Sequence, residues 1–189
     1  MKVEPSQPRF QWEDKMGHLR LTLPARRNWP MLIFLSAWLV GWAFGEVTVP
    51  TRLFGKSGET GIDLFTAAWL VMWTVGGAFA IYVWLWNLAG REVIDVDSES
   101  LRIKREVVRW GRVRDFALNH VRAFRVAPLT FNPMGFPNAL RFWGVGGGGI
   151  AFDYGAKTYR FGNALDEAEA KQVLARIAER VPRDVMAQS

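Results

Sequence analysis

Cysteine is absent from the 189 residues, which excludes disulfides, a thiolate metal site and a cysteine nucleophile. Histidine occurs only as His18 and His120. No set of His, Asp and Glu at metal-ligand spacing surrounds either one, and His120 beside Asn119 reads as a turn residue rather than a base. A Gly-x-Ser-x-Gly elbow is also missing. Gly55-Lys56-Ser57 fails as a phosphate loop because the required first glycine falls on Pro50. The glycine run at 146–149 is not followed by Lys-Ser/Thr and opens no helix, so it reads as a place of close backbone approach. Asp95, Asp97 and Glu99 alternate like calcium ligands but lack the glycine and the closing Glu of that loop. These absences predict no catalytic residue, no metal and no cofactor.

What is present is apolar and basic. Half of the residues are apolar, 14% are aromatic and the net charge is +6. The mean hydropathy of +0.01 is that of a soluble protein, but the average hides segregation: seven of the ten Trp fall between positions 29 and 86. Residues 28–45 carry no charge and as a helix would extend about 27 Å, close to the roughly 30 Å hydrocarbon core. Residues 64–90 form a second uncharged run, about 40 Å as a helix, which spans with tilt. The sequence therefore predicts a transmembrane hairpin over 28–90, with spans at about 28–48 and 64–89. Twenty-seven mostly polar residues precede the first span, so it reads as an uncut anchor rather than a signal peptide, and Arg26-Arg27 as a membrane-border charge pair.

Orientation follows from the basic residues beside the spans. Arg9, Lys15, Arg20, Arg26 and Arg27 precede the first, and Arg91, Arg102, Lys104, Arg105 and Arg109 follow the second, whereas the connecting loop holds only Arg52 and Lys56. Both termini are expected in the cytoplasm. Within the hairpin, Ala37, Gly41 and Gly45 recur every four residues and are expected to let the helices touch, with Trp69, Trp73 and Gly77 on the facing helix. A bulky residue at Gly41 should then disturb packing more than truncation of Leu35.

Residues 91–162 read as strands and turns. Leu101 to Arg105 alternates at period two, Asp97-Ser98-Glu99-Ser100 and Arg109-Trp110-Gly111-Arg112 are turn signals, and a bend falls at Asn119-His120. Tyr154-Gly155-Ala156-Lys157 reads as a hairpin turn. Asp166 with Glu169 is a capping-box variant ahead of the helical spacing of Ala170, Val173, Leu174, Ile177 and Val181. The expected fold is a membrane hairpin plus a small α+β domain, with 1–27 a separate N-terminal segment and 91–189 the domain.

Arg26-Arg27, Trp38-Leu39-Val40-Gly41-Trp42, Gly90-Arg91-Glu92-Val93-Ile94 and the run Ile150-Ala151-Phe152-Asp153-Tyr154-Gly155 through Arg160-Phe161-Gly162 to Leu165-Asp166-Glu167-Ala168-Glu169-Ala170 give the chain a resemblance. It resembles bacterial membrane proteins with a two-helix hairpin and a cytoplasmic pleckstrin-homology-like domain, a family without an assigned function. The resemblance implies an antiparallel sheet or barrel capped by a C-terminal helix, and a place in the bacterial inner membrane.

Two features point to docking. Eight Lys or Arg against Glu106 and Asp115 lie between positions 102 and 125, and of these Arg102, Lys104, Arg109 and Arg112 are expected to attract an anionic surface. Phe131, Met134 and Phe136 sit on a proline-bearing loop followed by Phe142 and Trp143, large apolar groups for a lipid or partner surface. Nucleic acid is not an expected partner, because the basic ribbon has no interleaved surface aromatics and belongs to a membrane-tethered module. The function expected is protein docking, as an accessory subunit of a larger membrane complex. A stand-alone sensor of anionic lipid is the alternative, and an enzyme a distant third.

Overall fold

The computed structural model describes residues 10–15, 17–54, 64–127, 147–182 and 185–186. The chain forms two compact units. Residues 27–88 make one, and 1–26 together with 89–189 make the other.

The first unit is a pair of helices, α1 (Trp29–Phe54) and α2 (Leu64–Ala89), each long and apolar enough to cross a membrane. Ile33, Phe34, Val40 and Phe44 of α1 and Leu64, Val71, Met72 and Val75 of α2 are each more than 60% exposed. Such a continuous apolar surface does not suit water. α1 overruns its expected end near residue 48. Glu46 lies inside the helix, and its Oε1 accepts a hydrogen bond from Thr74 Oγ1 at 2.6 Å. Pro50 removes one backbone donor without ending the helix, while Thr48 and Thr51 return their hydroxyls to helix carbonyls.

The helix seam is aromatic and polar rather than a stripe of small residues. Trp42 Nε1 donates to the carbonyl of Trp73 at 3.1 Å, and Trp84 Nε1 donates to Ser36 Oγ at 2.9 Å. The first of these bonds explains Gly77. In a helix the carbonyl of residue 73 is covered by residue 77, and an ideal Cβ at Gly77 would lie inside the indole of Trp42. With no side chain there, the indole reaches the carbonyl. Gly45 faces Trp73, with an ideal Cβ 3.4 Å from the ring, and Trp73 stacks on Trp69 with centroids 5.0 Å apart. Ala37 and Gly41 do not join them. Both are exposed, and nothing lies within 4 Å of an ideal Cβ at Gly41. The physical reason is rotational: a strict four-residue repeat turns about 40° per step on a 3.6-residue helix, so a stripe from Ala37 to Gly45 leaves a straight seam.

The second unit holds two antiparallel sheets. The first runs in the order β1 (Gln11–Lys15), β2 (His18–Pro24), β3 (Gly90–Val96), β4 (Ser100–Val107) and β5 (Trp110–Ala117). A single 3₁₀ turn, Leu118–His120, leads to β6 (Val121–Val126), β7 (Ile150–Tyr154) and β8 (Lys157–Phe161), which form the second sheet. Helix α3 (Glu167–Ala178) follows. Residues 11–24, expected as a separate segment, thus supply two strands, and the helical unit is inserted between β2 and β3. The period-two pattern Leu19, Leu21, Leu23 is why: all three side chains are buried.

One apolar core joins both sheets and α3. Ile94, Leu101, Ile103 and Phe116 come from the first sheet, Phe124, Ile150, Phe152 and Phe161 from the second, and Ala170, Val173 and Ile177 from the helix. No strand pairing joins the two sheets among the described residues, so the unit is an α+β pair of sheets rather than a closed barrel. The capping box forms: Glu169 N–H donates to Asp166 Oδ1 at 2.7 Å, and Asp166 N–H to Glu169 Oε2 at 3.0 Å. Gly155, at φ +59°, turns β7 into β8. Gly148 packs so closely on the Phe161 backbone that a Cβ there would overlap it.

The seam geometry sets an order of effects. Gly77→Ala should displace the Trp42 indole and cost about 1–3 kcal/mol, whereas Gly41→Leu should be nearly neutral and Leu35→Ala, at a buried position, clearly harmful. Thermal unfolding in detergent reads this order, which reverses the one expected from the small-residue stripe.

Candidate functional site

The basic ribbon is shared between the sheets, with Arg122 and Arg125 on β6 of the second, and its β4 residues divide between the two faces of the first because successive strand residues point to opposite sides. Leu101, Ile103 and Arg105 share the core side of β4, while Arg102, Lys104 and Glu106 share the outer side.

Cations on the outer face are matched by acids. Arg20 Nε donates to Asp95 at 2.6 Å, Arg102 Nε donates to Asp115, and Arg91 and Lys104 both bond Glu106. Strand register produces these pairs, with Arg20 opposite Asp95, Arg102 opposite Asp115 and Arg91 opposite Glu106. Glu106 is only 3% exposed. The Lys104 ammonium, with the Arg91 guanidinium, holds its carboxyl below the ordinary range against the opposing effect of burial. Arg102 and Lys104, expected to dock an anionic surface, therefore each carry a carboxylate partner inside the sheet.

On the core side, Glu92 is 4% exposed and accepts two hydrogen bonds, from Arg105 Nε at 2.9 Å and from the backbone N–H of Gly162 at 2.8 Å. Arg105 also reaches the carbonyls of Gly147 and Arg160, each at 3.4 Å. This pair, its carboxylate buried and its guanidinium partly exposed, ties the first sheet to the end of β8. Its members are distant from Gly162 in the chain, so no local motif announces it.

Unneutralised charge collects on β5. Residues 110–115 are exposed on both faces, and β5 is the edge of its sheet. Among the described residues, Arg109, Arg112 and Arg114 have no carboxylate partner; Arg114 lies over the Tyr159 ring at 5.8 Å. The turn before β5 falls on Val108 and Arg109, not on residues 109–112 as expected, since Val107 pairs with Trp110 and Gly111 is inside the strand. Gly111 is required there by close approach: a Cβ would collide with the Arg105 carbonyl and Glu106 Cα. Val108 at φ 48° and Arg109 at φ 73° adopt the left-handed conformations of a two-residue hairpin turn. The tip they form is apolar as well as basic, with Val108 61% and Trp110 87% exposed. Trp110 and Val108 are absent from the docking residues expected from sequence, where Gly111 drew the turn two residues too far along.

Of the other expected docking residues, Phe131, Met134 and Phe136 lie outside the described residues. His18 Nδ1 stands 4.0 Å from Asp97 Oδ2 in an open depression with Gly17, Ser98 and Glu99. No group of three His, Asp or Glu poised to hold a metal occurs among the described residues. Burial pushes the Asp97 carboxyl up, but the N–H groups of Glu99 and Ser100 and the Ser100 hydroxyl outweigh it, and the net effect is downward.

Depressed carboxyls make stability depend on acid. Glu106 contributes fully above its unfolded value near 4.5, and that contribution is lost as pH falls through its lower folded value. Glu106→Gln should be less stable than the parent protein at neutral pH, and the two melting curves should converge below about pH 4.5. Circular dichroism melts in detergent across that window measure the convergence.

No protein-family model matches the chain, and no curated protein shows significant similarity to it.

Proposed function

We propose that this is a non-catalytic integral protein of the bacterial inner membrane, whose sheet unit is a cytoplasmic pleckstrin-homology-like module that docks a membrane-protein partner as an accessory subunit of a larger assembly. The observation that carries docking is the edge of β5, which among the described residues pairs with β4 alone, with Arg112 and Arg114 on that strand and no acid bound to either among the same residues. An edge strand offers unpaired backbone groups to an added strand. The two arginines favour an acidic one. A partner segment of this kind would be extended, with Asp or Glu at alternate positions.

Topology is supported independently. β2 precedes α1 and β3 follows α2, yet the two strands pair from Leu19–Val96 to Pro24–Arg91. A hairpin that spans a bilayer returns its ends to one side, as this pairing requires. The ten-to-two distribution of basic residues then favours the cytoplasm. The pleckstrin-homology-like reading draws on the succession of antiparallel strands in two sheets followed by an amphipathic helix.

Native mass spectrometry of the gently solubilised protein tests the proposal. A heteromeric species at fixed stoichiometry is expected, and Arg112→Glu with Arg114→Glu should abolish it. A species that carries only lipid would overturn the subunit assignment in favour of a lipid sensor. Topology is read separately with single cysteines at Ser57 and Ser189, against a background without native Cys. An impermeant thiol reagent on spheroplasts should label the first and spare the second.

A further inference from the structure

We infer that the β4–β5 hairpin tip is a membrane-interface anchor, in which Val108 and Trp110 enter the headgroup–acyl boundary of the bilayer that α1 and α2 cross while Arg109 and Arg112 bind lipid phosphates. The inference rests on the assignment of α1 and α2 as membrane spans. It begins from register. Gly90, the first residue after α2, pairs with Val107, and Val107 pairs with Trp110. Two strand spacings of about 4.8 Å put the Trp110 backbone roughly 10 Å from the point where the chain leaves that helix. Pro24, four residues before α1 is entered at Asn28, pairs with Arg91 on the other side of Gly90's strand. Both chain crossings and the hairpin tip therefore share one end of the sheet.

Composition distinguishes this end from the other. The turn between β3 and β4, at the far end, carries Asp97 and Glu99. The tip carries two exposed apolar side chains and two arginines without carboxylate partners among the described residues. Indole at a bilayer surface places its apolar body inward and its N–H at the headgroups. Guanidinium groups match phosphate oxygens two at a time, and an anionic leaflet attracts the tip while it repels the acidic end. Val108 adds a further sign. A β-branched residue at φ 48° is strained where Asn or Gly would not be, so the turn keeps an exposed apolar side chain at a conformational cost.

Depth measurement on the full-length protein tests this. A cysteine at Val108, labelled with a polarity-sensitive fluorophore, is compared with one at Ser98 in the far turn. The protein is reconstituted in phosphatidylcholine vesicles with or without phosphatidylglycerol, and headgroup-proximal nitroxide lipids serve as quenchers. The Val108 probe should be blue-shifted and quenched several-fold more than the Ser98 probe, more strongly with phosphatidylglycerol, and less so when Arg109 and Arg112 are changed to Glu. A second probe at Val107, with Val108, Trp110 and both arginines retained, should repeat the result if the first variant misfolds. Equal exposure of the tip and Ser98 probes to water in vesicles, with the protein resistant to alkaline carbonate, would overturn the anchor and leave the spans intact. Shielding only in native membranes would also overturn it, in favour of a protein contact. Release by carbonate would remove the spans and the anchor together.

Discussion

The ladder between β2 and β3 is the constraint from which the remaining geometry follows. Six residue pairs join a strand that precedes the helical unit to one that follows it, and the Ala25 N–H extends the contact to the Gly90 carbonyl at 2.9 Å. The flanks of a long insertion are thereby held side by side. Closing so large a loop costs more entropy than a tight hairpin turn, but only logarithmically with its length, and association of the two helices already brings their ends together. Leu19, Leu21 and Leu23 opposite Val96, Ile94 and Glu92 then complete the core side of the sheet. Without this ladder β3, β4 and β5 would still be a local meander, but β3 would have a free edge and the core would lose three leucines.

Charge placement gives the sheet its two characters. Asp95, Asp115 and Glu106 on the outer face are each bound to a cation; the Arg20–Asp95 and Arg102–Asp115 pairs are exposed enough to contribute little apiece, whereas Glu106 is buried between Arg91 and Lys104. The Glu92–Arg105 pair differs in that its carboxylate is buried on the core side. Removal of Arg105 would strand a buried carboxylate, and removal of Glu92 would orphan the Gly162 N–H. The value of the pair lies in fixing where the end of β8 meets the first sheet. With these acids engaged by cations of β2, β3 and β4, the arginines left without a carboxylate partner among the described residues of the first sheet are those of β5 and its preceding turn.

Local chemistry was legible in the sequence wherever the determinant was local. The capping box of α3, the Asx turn at Asp97, the Gly155 hairpin and the bend before His120 each depend on residues a few positions apart. Helix existence was equally plain from uncharged length. Register and face were not. The strand at 18–24 carries a clear alternation, but the charged residues around it and its place before a membrane span made it read as a flank. Arg102 looked like free surface charge because Asp115 becomes its partner only once β4 and β5 are aligned, and Lys104 because Glu106, two residues along, meets it only when both stand on one face of a strand. Of the stripe Ala37, Gly41, Gly45 only Gly45 meets the facing helix, at Trp73, whereas Gly77 is needed because a particular indole on another helix must reach a carbonyl behind it. A sequence shows a glycine but not the ring that fills its space.

The turn at Val108-Arg109 is where stability and surface chemistry diverge. A two-residue hairpin turn with both φ values positive is best served by Asn-Gly, since those residues meet little steric penalty in the left-handed region. Val meets the largest, with a cost on the order of 1–2 kcal/mol. Its side chain gains nothing from the core, because it is mostly exposed, and its neighbour Trp110 is more exposed still. Gly111 meanwhile spends the nearby glycine on close approach to β4 rather than on the turn. Folding alone would place glycine two positions earlier and a polar residue at the tip. The sequence does the opposite on both counts, so packing among the described residues does not account for the tip, whereas the bilayer contact proposed above would.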